Sequence, residues 1–574
     1  MQKSHTLIHK KRKPIISSIK KKALLFYKNH TSEILFLCML CAGLAFRLYP
    51  LLTKSYIQDE MSTLAFAQAD YPLISHFIYP LDDRPWVFYL FIKVLYEIYP
   101  NPLFLRVVSM CIGLLSICIT YHALRKINKN LALLTAFMLF FSLSRIDYSW
   151  QIRDMSLLLL TTSFLLLTGI SLLKNIMKKG NWKQIQITYL VVPITIGCLT
   201  NYIFIVFSIA YLLFLGASIF YLTKKLRKVL FFFLQISLQL LPLVCALCWY
   251  LFGQADTADI LASNRWIPQA TPFTYLSINA TLLGLTAYFN EFYQPTFDTF
   301  NEVLALNIGM TLFLVVTSVF IIKKKFTHIP PLLQIFFFGG ICIYAFTYLL
   351  VIGISHALHM HIILHRTFIR SGTLFLLSFM VGIYLWLMNG VKHKYQRHII
   401  VSLLLTYVLL FFVNFTSYYQ IHDVKTIRFT QQGDVIEAIE RYYQLGDQII
   451  FFPIHYQFLY IPFYYKHNSK YMFSSKLAYQ KMQQFNLEDP VLRNALSQYS
   501  GPLTYDKQFN GKILFVEERT IFSDTPQGFP DKNIDQNEFL YQEIKTYCVD
   551  DPIWIDESAN YIIRACWFKP EYQF

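Results

Sequence analysis

Residues 34–52 read Ile-Leu-Phe-Leu-Cys-Met-Leu-Cys-Ala-Gly-Leu-Ala-Phe-Arg-Leu-Tyr-Pro-Leu-Leu. A helix needs about 17–25 mostly apolar residues to cross the hydrocarbon core of a bilayer. This run has that length, and its one charge, Arg47, sits near the far end. Basic clusters precede it at 10–13 and 20–22. A cleavable signal would carry a shorter apolar core followed by a small-residue cleavage site. Neither is written here, so the run reads as a retained first membrane helix with its basic side in the cytoplasm.

Outward from this run the same pattern recurs. Span-length apolar stretches cover 103–124, 131–143 (short), 155–173, a kinked pair over 185–222 with Pro193 interrupting its first member, 229–252, 303–322, 332–354, 367–388 and 399–415. The expectation is a polytopic α-helical membrane protein with about 11 transmembrane helices. Composition agrees: of 574 residues 55% are hydrophobic, 17% aromatic and only 15% charged, with mean hydropathy +0.41. Soluble chains carry about 25% charged residues. A disordered chain is excluded by the aromatic and apolar content, and a collagen-like one by only 20 Gly and 22 Pro.

The net charge of +17 is not a nucleic-acid footprint once it is divided. Residues 1–416 hold 36 Lys and Arg against 14 Asp and Glu, whereas residues 417–574 hold 15 against 20. Lysine-rich clusters at 125–129, 174–183, 224–228, 323–325 and 392–397 fall on one side of the alternating spans. Retained positive charge marks the cytoplasmic side. The expected organisation is a basic cytoplasmic segment 1–33, a transmembrane domain 34–416 with a large external loop 53–102, and an acidic extracytoplasmic domain 417–574. The last reads as a small α/β module: an amphipathic helix at 434–445 and strands at 447–452, 511–516 and 561–566. Cys548 and Cys566 stand alone there, and a disulfide between them is open. The other eight cysteines lie in apolar runs and read as packing residues.

Carboxylates near a membrane are expensive and tend to be functional. Six crowd the first external loop: Asp59, Glu60, Asp70, Asp82, Asp83 and Glu97. Composition alone reads this as a solvated loop; the sharper reading is a pair of carboxylates set for general-base work. A second anomaly is the external arginines Arg47, Arg84, Arg106, Arg145, Arg153, Arg265, Arg366 and Arg370, because the external side is usually depleted of them. Arginine binds phosphate oxygens bidentately, although a single arginine at a helix end can equally be an interfacial anchor. His356, His359, His361 and His365 share one short segment. A divalent metal is one use for them, but the spacing matches no familiar zinc pattern. Hydrogen bonds to a phosphate or sugar are expected instead, and no metal is assigned.

At these residues a resemblance can be named. Leu44-Ala45-Phe46-Arg47-Leu48 followed by Gln58-Asp59-Glu60 resembles the opening of bacterial C-type glycosyltransferases, the relatives of protein O-mannosyltransferases and of the lipid A aminoarabinose transferase. Pro85-Trp86-Val87-Phe88-Tyr89-Leu90, Leu105-Arg106-Val107, Tyr148-Ser149 with Arg153, and Arg366 with its following apolar span resemble further segments of that family in the same order. The likeness is densest over 34–175. Gln151 departs from it, standing where the family often has Glu, with Asp154 nearby; Asp83-Arg84 depart from it before Pro85.

The resemblance implies a C-type glycosyltransferase fold in a bacterial inner membrane, with the N-terminus cytoplasmic and the C-terminal domain periplasmic. It implies a polyprenyl-phosphate sugar as donor, no further cofactor, and a glycan, lipid (lipid A or lipopolysaccharide) or protein as acceptor. Asp59, with Glu60, would be the catalytic carboxylate. Arg84, Arg153, Arg366, Arg370, His361 and His365 would face the donor's phosphate and sugar, with Asp83, Asp154 and Arg47 as further candidates. Two other classes stay open. A transporter or lipid flippase would place ionisable groups at the bilayer midplane in two related halves. A polysaccharide polymerase or ligase would gather Arg and His in a large external loop, yet 253–301 has Arg265 and no histidine.

Overall fold

The computed structural model describes residues 31–53, 60, 63–64, 67, 87–252, 297–324, 326, 329–357, 365–390, 393–424 and 441, and four strands between 448 and 567. Helix α1 spans Thr31–Thr53. It is followed by α2 (Val87–Ile98), α3 (Pro102–Arg125), α4 (Lys129–Phe140), α5 (Leu143–Trp150), α6 (Asp154–Lys179), α7 (Gln184–Thr200) and α8 (Ile203–Thr223). Then come α9 (Leu226–Phe252), α10 (Phe297–Ile322), α11 (Pro331–Ala357), α12 (His365–Gly390) and α13 (His393–Val424). Each expected span overlaps one of these helices, except 131–143, which runs from α4 into the start of α5. Among the described residues 8 are long and apolar enough to cross a membrane, and 9 if the bent pair α4–α5 counts as one span. Helix α7 is shorter, as is the apolar section Leu404–Val413 of α13.

Local chemistry sets the helix ends. Asn101 caps α3, its side-chain oxygen accepting from the Leu103 and Phe104 amides at 2.8 and 3.4 Å, with Pro102 at the first position. That oxygen satisfies amides that have no partner inside the helix. Asn128 caps α4 in the same way through the Asn130 and Leu131 amides. Helix α6 stops at Gly180, whose φ of 68° is a left-handed turn that glycine adopts without steric cost.

Two expectations need correction. Pro193 does not interrupt the span 185–222: α7 runs through it, and the chain breaks at Asn201–Tyr202. There the Asn201 side-chain oxygen accepts from the Ile203 amide at 3.1 Å and its amide nitrogen donates to Asp154 Oδ2 at 2.9 Å. The short stretch 131–143 is the first half of a broken helix, α4 and α5 meeting at 65°. Neither Gly nor Pro marks that break. Side chains from other helices hold it open: Arg47 Nη1 donates to the Phe140 carbonyl at 3.2 Å and the Tyr407 hydroxyl to the Phe141 carbonyl at 3.3 Å.

Packing explains the rest of the bundle. Helices α3 and α6 lie against one another, as do α11 and α12. Leu230, Leu234, Leu238 and Leu241 of α9 are all exposed. Such an apolar stripe is costly in water and ordinary against lipid. Gly340 of α11 sits so close to α12 that an added Cβ would strike the Leu374 carbonyl and Ser378 Oγ. Gly340→Leu is therefore expected to lower the unfolding temperature in detergent, since overpacking costs about 1–3 kcal/mol and backbone cannot swing aside. An unchanged midpoint would mean that the two helices do not meet there.

In the C-terminal part, β1 (Gln448–Phe452), β2 (Lys512–Glu518), β3 (Ile553–Glu557) and β4 (Tyr561–Trp567) form a mixed sheet of order β1-β2-β4-β3. Strands β1 and β2 are parallel, and both other pairs are antiparallel. The three strands read from sequence are β1, β2 and β4. Strand β3 is missed because its apolar run, Ile553-Trp554-Ile555, is short, sits between acidic residues and carries a register shift at Trp554/Asp556. Of the expected helix 434–445, only Arg441, which is helical, lies within the described residues.

Candidate functional site

The buried charges gather at one end of the bundle. Arg47 lies toward the end of α1, Arg106 in the second turn of α3, Arg145 on α5, Arg153 and Asp154 at the start of α6, and Arg370 in the second turn of α12. The opposite end carries a different set: the Glu33 carboxylate is paired with Arg125 and lies 3.5 Å from Lys129. The two ends are thus chemically distinct. Among the described residues Arg47, Lys93, Arg106, Arg145, Arg153 and Arg370 are buried cations, and Glu60 and Asp154 the buried carboxylates. The interior near this end has far more buried positive charge than carboxylate.

Most of these charges are occupied by the protein itself. Glu60, 0% exposed, is gripped bidentately: Arg106 Nη2 donates to Oε2 at 2.6 Å and Nε to Oε1 at 2.9 Å. Oε1 also accepts from the Ile152 amide at 3.0 Å. Arg106 lies over the Trp150 ring at 4.7 Å. A carboxylate held by a fork of donors and a backbone amide is poorly suited to remove a proton from a substrate. Both oxygens of Glu60, expected beside Asp59 as a catalytic candidate, are thus occupied by the protein's own donors. Arg47 is likewise taken up by structure, donating to Ser149 Oγ at 2.9 Å, the Gly43 carbonyl at 2.8 Å and the Phe140 carbonyl. Arg145 Nη2 donates to the Ile369 carbonyl at 3.0 Å and to Thr373 Oγ1.

Arg370 is different. It is 1% exposed, yet its Nε, Nη1 and Nη2 meet no hydrogen-bond acceptor among the described residues. Its guanidinium lies 5.9 Å from the Phe204 ring, and the carboxylate that acts on it electrostatically is Asp154. Asp154 is itself 0% exposed and is held by Asn201. Arg153 is buried beside it at the α5–α6 turn. Buried donors without acceptors are costly even where a carboxylate acts from a distance, so the five donor hydrogens of Arg370 mark a place where an anion would be strongly stabilised.

Of the residues singled out from sequence, the structure brings Arg47, Glu60, Arg153, Asp154 and Arg370 to this end of the bundle. His365 and Arg366 lie in the first turn of α12, with only their backbone described. Asp59, Asp83, Arg84 and His361 lie outside the described residues. Sequence reasoning missed Asn201 and Phe204 at the α7–α8 break. The signal was a lone polar residue, Asn201, between two apolar runs.

No protein-family model and no curated protein matches the chain. Among solved structures it is similar to a crystal structure of ArnT from Cupriavidus metallidurans in the apo state. The two are 10% identical, with 92% of this chain and 97% of that chain covered and a TM-score of 0.37.

Proposed function

We propose that this chain is an integral-membrane glycosyltransferase that moves a sugar from a polyprenyl-phosphate donor to an acceptor hydroxyl on an envelope glycan, a lipid such as lipid A, or a protein. The observation that carries the reading is Arg370, a buried guanidinium whose donors have no acceptor among the described residues, at the end of an apolar bundle where Arg153 is also buried. A lipid phosphate supplies both halves of what such a site can hold: an anion for the arginines and an apolar chain for the helix faces. Arg366, one turn before Arg370, would add a second fork.

Asp59 would take the proton of the acceptor hydroxyl. The hydroxyl oxygen then attacks the anomeric carbon, the bond from that carbon to the phosphate oxygen breaks, and polyprenyl phosphate leaves with the electron pair. Arginines already aimed at the phosphate stabilise the charge that develops there, so no separate acid is needed to protonate the leaving group. The buried charges lie within about two turns of the helix ends, which suits chemistry at a membrane surface better than ion passage through the midplane.

The direct test compares deletion cells with cells complemented by the wild-type chain, using mass spectrometry of polyprenyl-phosphate sugars and of envelope glycans, lipids and glycoproteins. Loss of one sugar from an acceptor, with its lipid-phosphate form accumulating and both changes reversed by complementation, is the expected result. Identical profiles in every strain, with the chain detected in the complemented membranes, would overturn the proposal.

A further inference from the structure

We infer that α5 is a bracket that sets the spacing between the base and the phosphate arginine, an inference that rests on the transferase reading above. Helix α5 has eight residues, too few to persist alone, and all but Asp147 are buried. It is held at three places. Near its start, Arg145 Nη2 donates to the Ile369 carbonyl and to Thr373 Oγ1, the α12 residues that flank Arg370. Thr373 Oγ1 also donates to that same carbonyl at 2.9 Å, so Arg145 closes over the very turn that carries Arg370.

In the middle, Ser149 Oγ accepts from Arg47 and donates to the Ile146 carbonyl at 2.8 Å. Gly113 of α3 makes room for it: a Cβ there would come within 2.5 Å of Ser149 Cβ. At the end, the Trp150 ring lies under Arg106, and two residues later the Ile152 amide reaches the Glu60 carboxylate that Arg106 grips. Glu60 directly follows Asp59 in the chain. One short helix therefore ties down Asp59's neighbour at one end and Arg370's turn at the other. Its outermost tie points, Arg145 and Trp150, are about 7.5 Å apart along the axis at 1.5 Å per residue.

The chemistry needs such a spacer. Acceptor oxygen and phosphate oxygen sit on opposite sides of one anomeric carbon, so base and phosphate site must keep a fixed separation. A misplacement of about 1 Å can cost about 10²-fold in rate. Arg145, Arg106 and Glu60 act through Arg370 and Asp59, and are positioning residues.

The test is a double-mutant cycle on the purified full-length protein in lipid nanodiscs, with a polyprenyl-phosphate hexose as donor. Arg145→Met cuts the tie to α12, and Glu60→Gln weakens the tie to Arg106 with little change of shape. Each is expected to lower kcat by about 10–100-fold, Glu60→Gln with its donor KM within about threefold of wild type. The double variant is expected to lose little beyond the worse single one, because the spacing is already unset once either tie is gone. Losses that simply multiply would mean two independent packing defects, and would overturn the bracket. So would Glu60→Gln losing as much as Asp59→Asn, which would make Glu60 a chemical participant.

Amide hydrogen exchange without substrate reads the same question separately. Glu60→Gln is expected to speed exchange both around residues 54–64 and, through α5, around 365–373; a change confined to the first segment would overturn the bracket. If the wild-type protein transfers no sugar at all, the transferase reading falls while the exchange result still decides whether α5 couples the two segments.

Discussion

Replacing Arg370 with methionine is expected to abolish sugar transfer, and replacing Asp154 with asparagine as well is expected to leave the substrate-free protein at least as stable as wild type. The loss of function follows from removing the guanidinium that would face the phosphate. Deleting one preorganised donor to a developing charge typically costs about 10²–10³-fold, and here a whole fork is lost, so donor KM should rise and kcat fall together. The stability of the double variant follows from burial. Arg370 is 1% exposed with no hydrogen-bond acceptor among the described residues, and Asp154, the carboxylate that acts on it, is 0% exposed. Removing one partner of a buried charge pair typically costs about 3–5 kcal/mol, whereas replacing both with uncharged groups of similar volume is often neutral or stabilising by about 1–4 kcal/mol. The measurement is the unfolding temperature in detergent beside the transfer rate. A double variant less stable than wild type would show that the two residues hold the fold together through contacts of their own, and Arg370's candidacy as a phosphate ligand would end there.

Asp59→Asn is expected to remove transfer while leaving membrane abundance and unfolding temperature as in wild type. General-base help contributes about 10²–10⁴-fold, and asparagine keeps the shape but cannot take the proton. The informative contrast is with its neighbour. Glu60 is committed to Arg106 and the Ile152 amide, so Glu60→Gln should lose less activity than Asp59→Asn. If Asp59→Asn retained wild-type kcat, Asp59 would have no part in the reaction and another group would have to serve as base.

The residues differ in how far each was legible in the sequence. Hydropathy and charge marked a run inside each long apolar helix among the described residues, because both signals are local and a bilayer leaves the chain little other choice. The break between α4 and α5 left no local mark: Phe140, Phe141 and Ser142 contain neither Gly nor Pro, and the freed carbonyls are satisfied from α1 and α13. Pro193 misled in the other direction. A proline in a helix forfeits one backbone hydrogen bond and strains the turn before it, and neighbouring helices can absorb that. The true break came where Asn201 could both end a helix and hold Asp154.

The list of charged candidates was likewise legible, but their division of labour was not. Asp59 and Glu60, adjacent and alike in sequence, read as a catalytic pair, and Arg47, Arg106, Arg145 and Arg370 read as one set of external arginines. Which of them are structural depends on partners far along the chain: Glu60 meets Arg106 across 46 residues, Arg47 meets Ser149 across 102, and Arg145 meets the Ile369 carbonyl across 224. By itself the amino-acid order determined that the chain is a multi-pass helical membrane protein and which charged residues its helix ends carry, since apolar length and charge are properties of a segment. Only the tertiary structure decided that Glu60 is gripped by Arg106 and that the three nitrogens of the buried Arg370 guanidinium meet no acceptor among the described residues, because whether a buried charge is satisfied is a property of what folding brings beside it.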